Sequence, residues 1–103
     1  MEEKFSDVDL RLSGQRALWG QVPSNLRTAS VEFRGDEIVF QAVFSEVPSD
    51  DERQLLTEVA GYIAGDFPEN HTLDEIYLVI PEPEKSPRLK NLLYQRYETS
   101  LGY

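Results

Sequence analysis

Residues 28–44, TASVEFRGDEIVFQAVF, decide the fold of this chain. On either side of Gly35-Asp36, apolar residues recur at every second position, which predicts two half-buried strands joined by a two-residue turn. With that turn as the loop, the predicted cross-strand pairs are Arg34–Glu37, Phe33–Ile38, Val31–Phe40 and Ala29–Ala42. This register places the large apolar residues on one face, whereas a slip of one residue would separate Phe33 from Phe40.

Four further segments complete the predicted secondary structure. A helix over residues 49–64 is indicated by a capping box, in which Ser49 is the N-cap and Glu52 the third helical residue. A helix over residues 7–20 would have Asp7 as its N-cap, although alternating apolar residues at its start also fit a short strand. Residues 74–80 predict a strand buried on both faces, and residues 89–97 predict a strand or a short helix. The proline-rich residues 81–87 would join these two segments as a stiff, extended connection.

The resulting order, α-β-β-α-β-β, predicts one α+β domain over residues 1–103. We expect two hairpins to form a four-stranded, mainly antiparallel sheet with both helices packed on one face. The phenylalanines of the first hairpin would then meet the apolar stripe of the second helix in the core. Trp19, at the end of the first helix, is expected to cover the edge of that core.

Composition excludes several classes of function. The chain has no cysteine, hence neither a disulfide nor a thiolate metal site, and its single histidine excludes a histidine-rich metal site. The 19 acidic residues outnumber the 10 basic residues, which argues against binding nucleic acid and favours a basic partner. Residues 1–12 lack a continuous apolar run, so we expect neither a signal peptide nor a membrane span, and a cytoplasmic location.

No set of residues in the sequence matches a catalytic or cofactor-binding motif. His71 stands in a polar loop, and no motif presents a serine nucleophile to it. The run Asp50-Asp51-Glu52 offers carboxylates, but consecutive helical residues point in divergent directions, and helix capping accounts for all three. We therefore expect a protein that is not an enzyme and that binds no metal and no cofactor.

The acidic residues are concentrated in one part of the chain. Residues 46–84 carry eleven of them against Arg53 as the only basic residue. Helical spacing places four residues roughly along one stripe of the second helix, and the following loop adds one more acid: Asp51, Glu58, Tyr62, Asp66 and Glu69. An aromatic side chain among carboxylates suits a surface for a basic partner. The alternative interpretation is an ordinary solvated helix face.

Two segments resemble those of a known class of protein. RALWGQVPSNLR at residues 16–27, a hairpin, and then a helix opening with PSDDE at residues 48–52 resemble small bacterial immunity proteins. These are antidotes to secreted toxins, including toxins of contact-dependent growth inhibition. The resemblance covers residues 10–97 in general plan, and it implies a small, acidic, cytoplasmic domain that covers the active site of a toxin. No binding residue is transferred by it.

Our leading hypothesis is a non-enzymatic protein that neutralises a basic toxin, most concretely a nuclease. Asp51, Glu58, Tyr62, Asp66 and Glu69 are the residues predicted to bind the toxin. The alternative is a small homodimeric domain with a ligand-binding or a regulatory role. It depends on the second face of the sheet, where five apolar or aromatic residues are less polar than a free surface requires: Val39, Val43, Tyr77, Val79 and Tyr94.

Overall fold

The computed structural model describes residues 5–67 and 71–98, which form two helices and a four-stranded mixed sheet. The elements are α1 (Asp7–Ala17), β1 (Leu26–Arg34), β2 (Glu37–Phe44), α2 (Asp50–Gly65), β3 (Thr72–Val79) and β4 (Asn91–Gln95). The predicted α+β class and the predicted order of elements are confirmed.

The β1–β2 hairpin has the register that alternation predicted. All four predicted pairs are present, from Arg34–Glu37 to Ala29–Ala42. Gly35 occupies the turn with a φ of 59°, a value that favours glycine because it has no Cβ. The hairpin forms the centre of the sheet, whose strand order is β3-β2-β1-β4.

The two outer strands do not form the predicted second hairpin. β4 pairs with β1 in antiparallel orientation, whereas β3 pairs with β2 in parallel orientation, so the two strands lie at opposite edges of the sheet. The reason is that α2 acts as a crossover and returns the chain to the starting end of β2. Because two of the three pairings are antiparallel, the sheet is mainly antiparallel, as expected.

Both helices begin with a capping box. In α2 the Ser49 side chain accepts from the Glu52 backbone, and the Glu52 side chain accepts from the Ser49 backbone, as predicted. In α1 the N-cap is Ser6, paired with Asp9, so the prediction of Asp7 as N-cap is wrong by one residue. A hydroxyl at position 6 reaches the Asp9 amide, which leaves Asp7 inside the first turn. α1 ends three residues before the predicted position 20.

The core lies between the helices and one face of the sheet. Its fully or almost fully buried residues come from every element except β3 and include Leu10, Val31, Ile38, Phe40, Phe44, Leu56, Val59 and Ile63. α1 approaches β4 closely at Gly14, where an added Cβ would lie 2.4 Å from a methyl carbon of Leu93. The predicted packing of the hairpin phenylalanines on α2 is therefore present.

The opposite face of the sheet is covered by the chain itself. Residues 81–90 leave β3 at one edge and cross the sheet to reach β4 at the other; we name them the back segment. The Leu89 amide donates to Ser30 Oγ (2.9 Å), and Gln41 Nε2 donates to the Pro87 carbonyl (3.1 Å). Beneath this segment Val39 and Val43 are fully buried.

The apolar second face on which the homodimer hypothesis depended is therefore not free. Tyr77 lies on the helix side, with its hydroxyl 3.1 Å from Thr57 Oγ1, and Tyr94 also packs against the core. β3 is an edge strand with half-buried and exposed side chains, so the prediction that it is buried on both faces is wrong.

A buried ion pair joins the last described residue to the centre of the sheet. Arg27 is fully buried, and its Nε and Nη2 donate to the two carboxylate oxygens of Glu98 at 2.8 and 2.7 Å. The third nitrogen, Nη1, donates to the carbonyl of Ile80 at 2.7 Å. One guanidinium thus connects β1, the end of β3 and the chain beyond β4.

Candidate functional site

The two helices run in opposite directions across the front of the sheet. Ser13 and Arg16, in the second half of α1, contact Asp66 at the end of α2, whereas Gln21, beyond α1, contacts the middle of α2. The acidic stripe predicted on α2 consequently lies along the junction with α1. Contacts with α1 and the residues after it therefore determine how much of the stripe is exposed for binding a partner.

The end of the stripe is in contact with α1. Asp66, the C-cap of α2, accepts from Ser13 Oγ at 2.6 Å and from Arg16 Nη2 at 3.4 Å. Tyr62 is 49% exposed, and its interaction with Arg16 is the main cause that raises the pKa of that guanidinium. Asp66 and Tyr62 thus share one cationic neighbour on the adjacent helix.

The beginning of the stripe has fewer contacts. Glu58 is exposed and accepts from the side-chain amides of Gln54 and Gln21, both at 3.1 Å. These two hydrogen bonds, Gln54 first, lower the pKa of Glu58 below its ordinary value. Asp51 is exposed in the first turn of α2, seven residues or about 10 Å along the helix from Glu58. Glu69 lies outside the described residues.

Trp19 was expected to cover the edge of the core, and this prediction is wrong. The indole is 79% exposed, whereas the neighbouring Leu18 is 6% exposed and occupies the edge of the core. Trp19 follows α1 in a turn between Arg16 and Gln21, both of which contact α2. The helical spacing of Leu10, Ala17 and Leu18 could have revealed this arrangement, since it leaves the next position pointing outward.

We name Trp19, Asp51, Glu58, Tyr62 and Asp66 the helix-layer surface. It combines two exposed aromatic side chains with three carboxylates. Among the described residues, Arg16 is the base whose ion pair reaches this surface, while the cations near β4 pair elsewhere. Lys90 pairs with Asp7, and Arg96 pairs with Glu82 and Glu98. The helix-layer surface thus retains more negative than positive charge.

A cleft of about 310 Å³ adjoins this surface at Asp66. Its wall combines apolar residues at the start of α1 and the end of α2 with two acids and one base: Phe5, Asp9, Leu12, Ser13, Arg16, Asp66 and Phe67. Leu12 is 53% exposed and forms part of the rim. An apolar wall beside a carboxylate suits the long stem and charged end of a lysine or arginine side chain.

His71 belongs to an aromatic cluster. Its ring centroid lies 5.5 Å from that of Phe33, 6.1 Å from Phe5 and 6.3 Å from Phe67. Within residues 5–67 and 71–98, no hydrogen-bond partner is present for its buried Nδ1. The ring therefore packs as a core-edge aromatic in this part of the chain.

Two properties of the described residues bear on other classes of site. Among residues 5–67 and 71–98, no group of three or more His, Cys, Asp or Glu side chains could hold a metal ion. In the same ranges neither helix has the length and apolar character needed to cross a bilayer.

Comparison with known proteins identifies the family. No curated protein sequence matches the chain. The family model described as MafI2 immunity protein matches residues 7–98, which includes every helix and strand described above. This agrees with the resemblance to bacterial toxin-immunity proteins that the sequence indicated. The chain therefore belongs to the MafI2 immunity protein family.

Proposed function

We propose that this chain binds a cognate toxin through the helix-layer surface and covers the toxin's active site without chemistry of its own. The membership of an immunity family supports a toxin as partner. The observation that carries the choice of surface is Trp19, which is 79% exposed beside a helix pair whose core is already filled. A large indole in water is the kind of side chain that anchors protein–protein interfaces.

The aromatic residues would supply most of the binding energy. Burying an indole or a phenol in a desolvated pocket contributes at least about 2 kcal/mol at an interface hot spot. Trp19 lies in the turn that directly follows α1 and Tyr62 lies on α2, so both exposed side chains extend from the helix layer.

The carboxylates would determine the class of toxin. Asp51, Glu58 and Asp66 give the surface a negative field, which attracts a basic partner and raises the association rate. A nuclease is the toxin class that fits best, since an active site for nucleic acid carries cations that bind phosphate. The carboxylates would occupy the place of the phosphates, and the protein would act in the cytoplasm, where such a toxin meets nucleic acid.

The test is a binding measurement with the toxin domain encoded beside this chain, purified in a catalytically inactive form. Trp19→Ala and Tyr62→Ala should each raise the Kd by about 30-fold or more, which corresponds to 2 kcal/mol. Asp51→Lys and Glu58→Lys should lower the association rate and weaken its dependence on salt. Glu84→Lys, on the back segment, is the matched control, because it makes the same change of charge away from the helix layer.

Protection of cells that express the active toxin is the functional readout. Variants that bind weakly should fail to protect, while their thermal midpoints stay close to that of the unmodified chain. An unchanged Kd for both Trp19→Ala and Tyr62→Ala would show that the toxin binds another surface. Equal effects of Glu84→Lys and Glu58→Lys would show that only net charge matters.

A further inference from the structure

The two edges of the sheet differ in how they are protected. β4 is five residues long, and α1 lies against it: Gln15 Nε2 donates to the Leu93 carbonyl at 2.7 Å, and Arg11 donates to the Asn91 side chain at 2.9 Å. β3 is eight residues long and lies at the opposite edge. In the described part of the chain, a helix side chain thus reaches the backbone of β4, whereas α2 contacts β3 at the side chain of Tyr77, through Thr57 and Arg53.

β3 also lacks the features that usually prevent an edge from pairing. Its register with β2 is continuous over eight pairs, without a bulge. The strand contains no proline and no lysine, and its charged residues are Asp74 and Glu75. A long, regular edge with unpaired backbone groups is a template for another strand, and natural proteins usually interrupt such edges.

The backbone groups available at this edge follow from the pairing with β2. The Thr72 amide donates to the Asp36 carbonyl at 3.0 Å, and the Ile80 amide donates to the Phe44 carbonyl at 2.9 Å. Successive residues of a strand direct their amide and carbonyl groups to alternate sides. The outward groups are therefore those of the odd-numbered residues, namely Leu73, Glu75, Tyr77 and Val79.

We propose that the outer edge of β3 accepts an extended strand of the toxin, which joins the sheet as a fifth strand. The inference rests on the proposed function, because it names a second contact with the same partner. Four outward residues supply amide donors and carbonyl acceptors over the length of β3, and main-chain hydrogen bonds of this kind hold added strands in other complexes.

The side chains beside the edge indicate the chemistry of the added strand. On the helix side, Glu75 lies between Leu73 and Tyr77, and on the other side Asp74 precedes the partly buried Ile76 and Leu78. Each face thus carries one carboxylate beside apolar or aromatic side chains, and the Glu75 carboxylate also accepts from the Tyr77 hydroxyl. The complementary strand carries a lysine or arginine opposite each carboxylate and apolar residues at the other positions.

A second copy of this chain is the less favourable occupant. It would bring the same two carboxylates to the edge, together with another molecule of net charge −9. Like charges placed across neighbouring strands are destabilising, whereas a basic toxin strand neutralises them. Charge complementarity therefore favours the toxin.

The first test compares two substitutions at one outward position. Glu75→Pro removes the outward amide and places the proline ring at the edge, while the hydrogen bonds to β2 remain. Glu75→Gln keeps the amide and removes only the charge. With the inactive toxin domain as the probe, we expect the Kd to rise at least 30-fold for Glu75→Pro. The rise in Kd for Glu75→Gln should be about tenfold smaller. Equal Kd values for the two variants would overturn the proposal.

The second test remains valid if Glu75→Pro does not fold. Amide hydrogen exchange of the unmodified chain is followed with and without saturating toxin. We expect the outward amides of Leu73, Glu75, Tyr77 and Val79 to exchange fast in the free chain and to become protected in the complex. Protection of these amides without toxin, rising with chain concentration, would assign the edge to a second copy and overturn the proposal.

The outcomes separate this inference from the proposed function. If the toxin binds and Trp19→Ala weakens the complex while the four outward amides stay unprotected, only the role of the β3 edge is refuted. If the outward amides become protected while Trp19→Ala and Tyr62→Ala leave the Kd unchanged, the helix-layer surface is refuted and the edge remains. A toxin domain that does not bind at all refutes both.

Discussion

Glu98→Ala should destabilise the fold severely through the cation that it leaves behind. In the intact protein Arg27 is fully buried, with two hydrogen bonds to the Glu98 carboxylate and one to the Ile80 carbonyl. Without Glu98 the guanidinium keeps the neutral carbonyl as its buried acceptor. Breaking a buried pair on one side costs about 3–5 kcal/mol, and a domain of this size is only about 5–15 kcal/mol stable.

The magnitude can be checked by urea denaturation, with the free energy of unfolding taken from the midpoint and slope of the transition. The double variant Arg27→Met/Glu98→Leu serves as control, because it replaces the ion pair with apolar side chains. We expect it to recover most of the lost stability, since such replacements are often neutral or stabilising. A loss below about 1 kcal/mol for Glu98→Ala, or a double variant as unstable as the single one, would refute the reasoning.

The same pair should respond to pH in a defined direction. The hydrogen bonds from Arg27 are the main cause that holds the pKa of Glu98 below its ordinary value of 4.5. The unfolded chain therefore takes up this proton first, so the stabilisation is complete above about pH 4.5 and is lost as pH falls through the folded pKa. The stability difference between the unmodified chain and Glu98→Ala should shrink at acid pH. A constant difference between pH 7 and pH 3 would contradict this assignment.

Three further substitutions test the packing and the helix caps, with urea denaturation as the readout. Gly14→Ala adds a Cβ 2.4 Å from Leu93 and should destabilise by about 1–2 kcal/mol despite better helix propensity. In a Leu93→Ala background the same change should become stabilising, and a loss there would exclude the steric explanation. Ser49→Ala removes the α2 N-cap and should cost about 1 kcal/mol, against Ser24→Ala, at an exposed loop serine, as the control. Phe40→Ala, fully buried, should cost about 3–5 kcal/mol, and a cost below 1 kcal/mol would place Phe40 outside the core.

Local patterns predicted those parts of the fold that depend on neighbours in sequence. Alternation fixed the register of the hairpin, because only one register puts Phe33 and Phe40 on the same face. The α2 capping box could also be predicted from a local pattern, since Ser49 and Glu52 are three residues apart. In both cases the interacting groups belong to one short segment.

Features of the fold that depend on pairing between distant segments could not be predicted from the sequence. No local sequence pattern indicates that β3 pairs with β2 in parallel orientation, because this orientation depends on the path of α2 across the sheet. The burial of Arg27 likewise depends on Glu98, which is 71 residues away. Residues 81–87 of the back segment were predicted to be stiff and extended, but the position of the segment over the sheet follows from the separation of β3 and β4.

The candidate site could be predicted only in part from the sequence, for a similar reason. Helical spacing grouped Glu58, Tyr62 and Asp66 on one side of α2, and the structure places them along the junction with α1. The same spacing could not show that Arg16 approaches Asp66, because the relative position of two helices is a tertiary property. Trp19 was expected to cover the core edge because it stands at the end of the first helix, but position and hydrophobicity are weak guides for a single large aromatic residue.

Because the back segment covers the rear face of the sheet and the helices cover the other, the exposed outer side of the helices forms the front of the molecule. A reporter group coupled to Lys85, which is exposed on the rear, should leave the front unobstructed for a partner. The residues exposed for binding a partner and the residues that maintain the fold on the rear face are therefore largely different. Under the proposed function, exposed front positions can be exchanged to suit a different toxin, while the residues that fasten the back segment to the sheet maintain the fold.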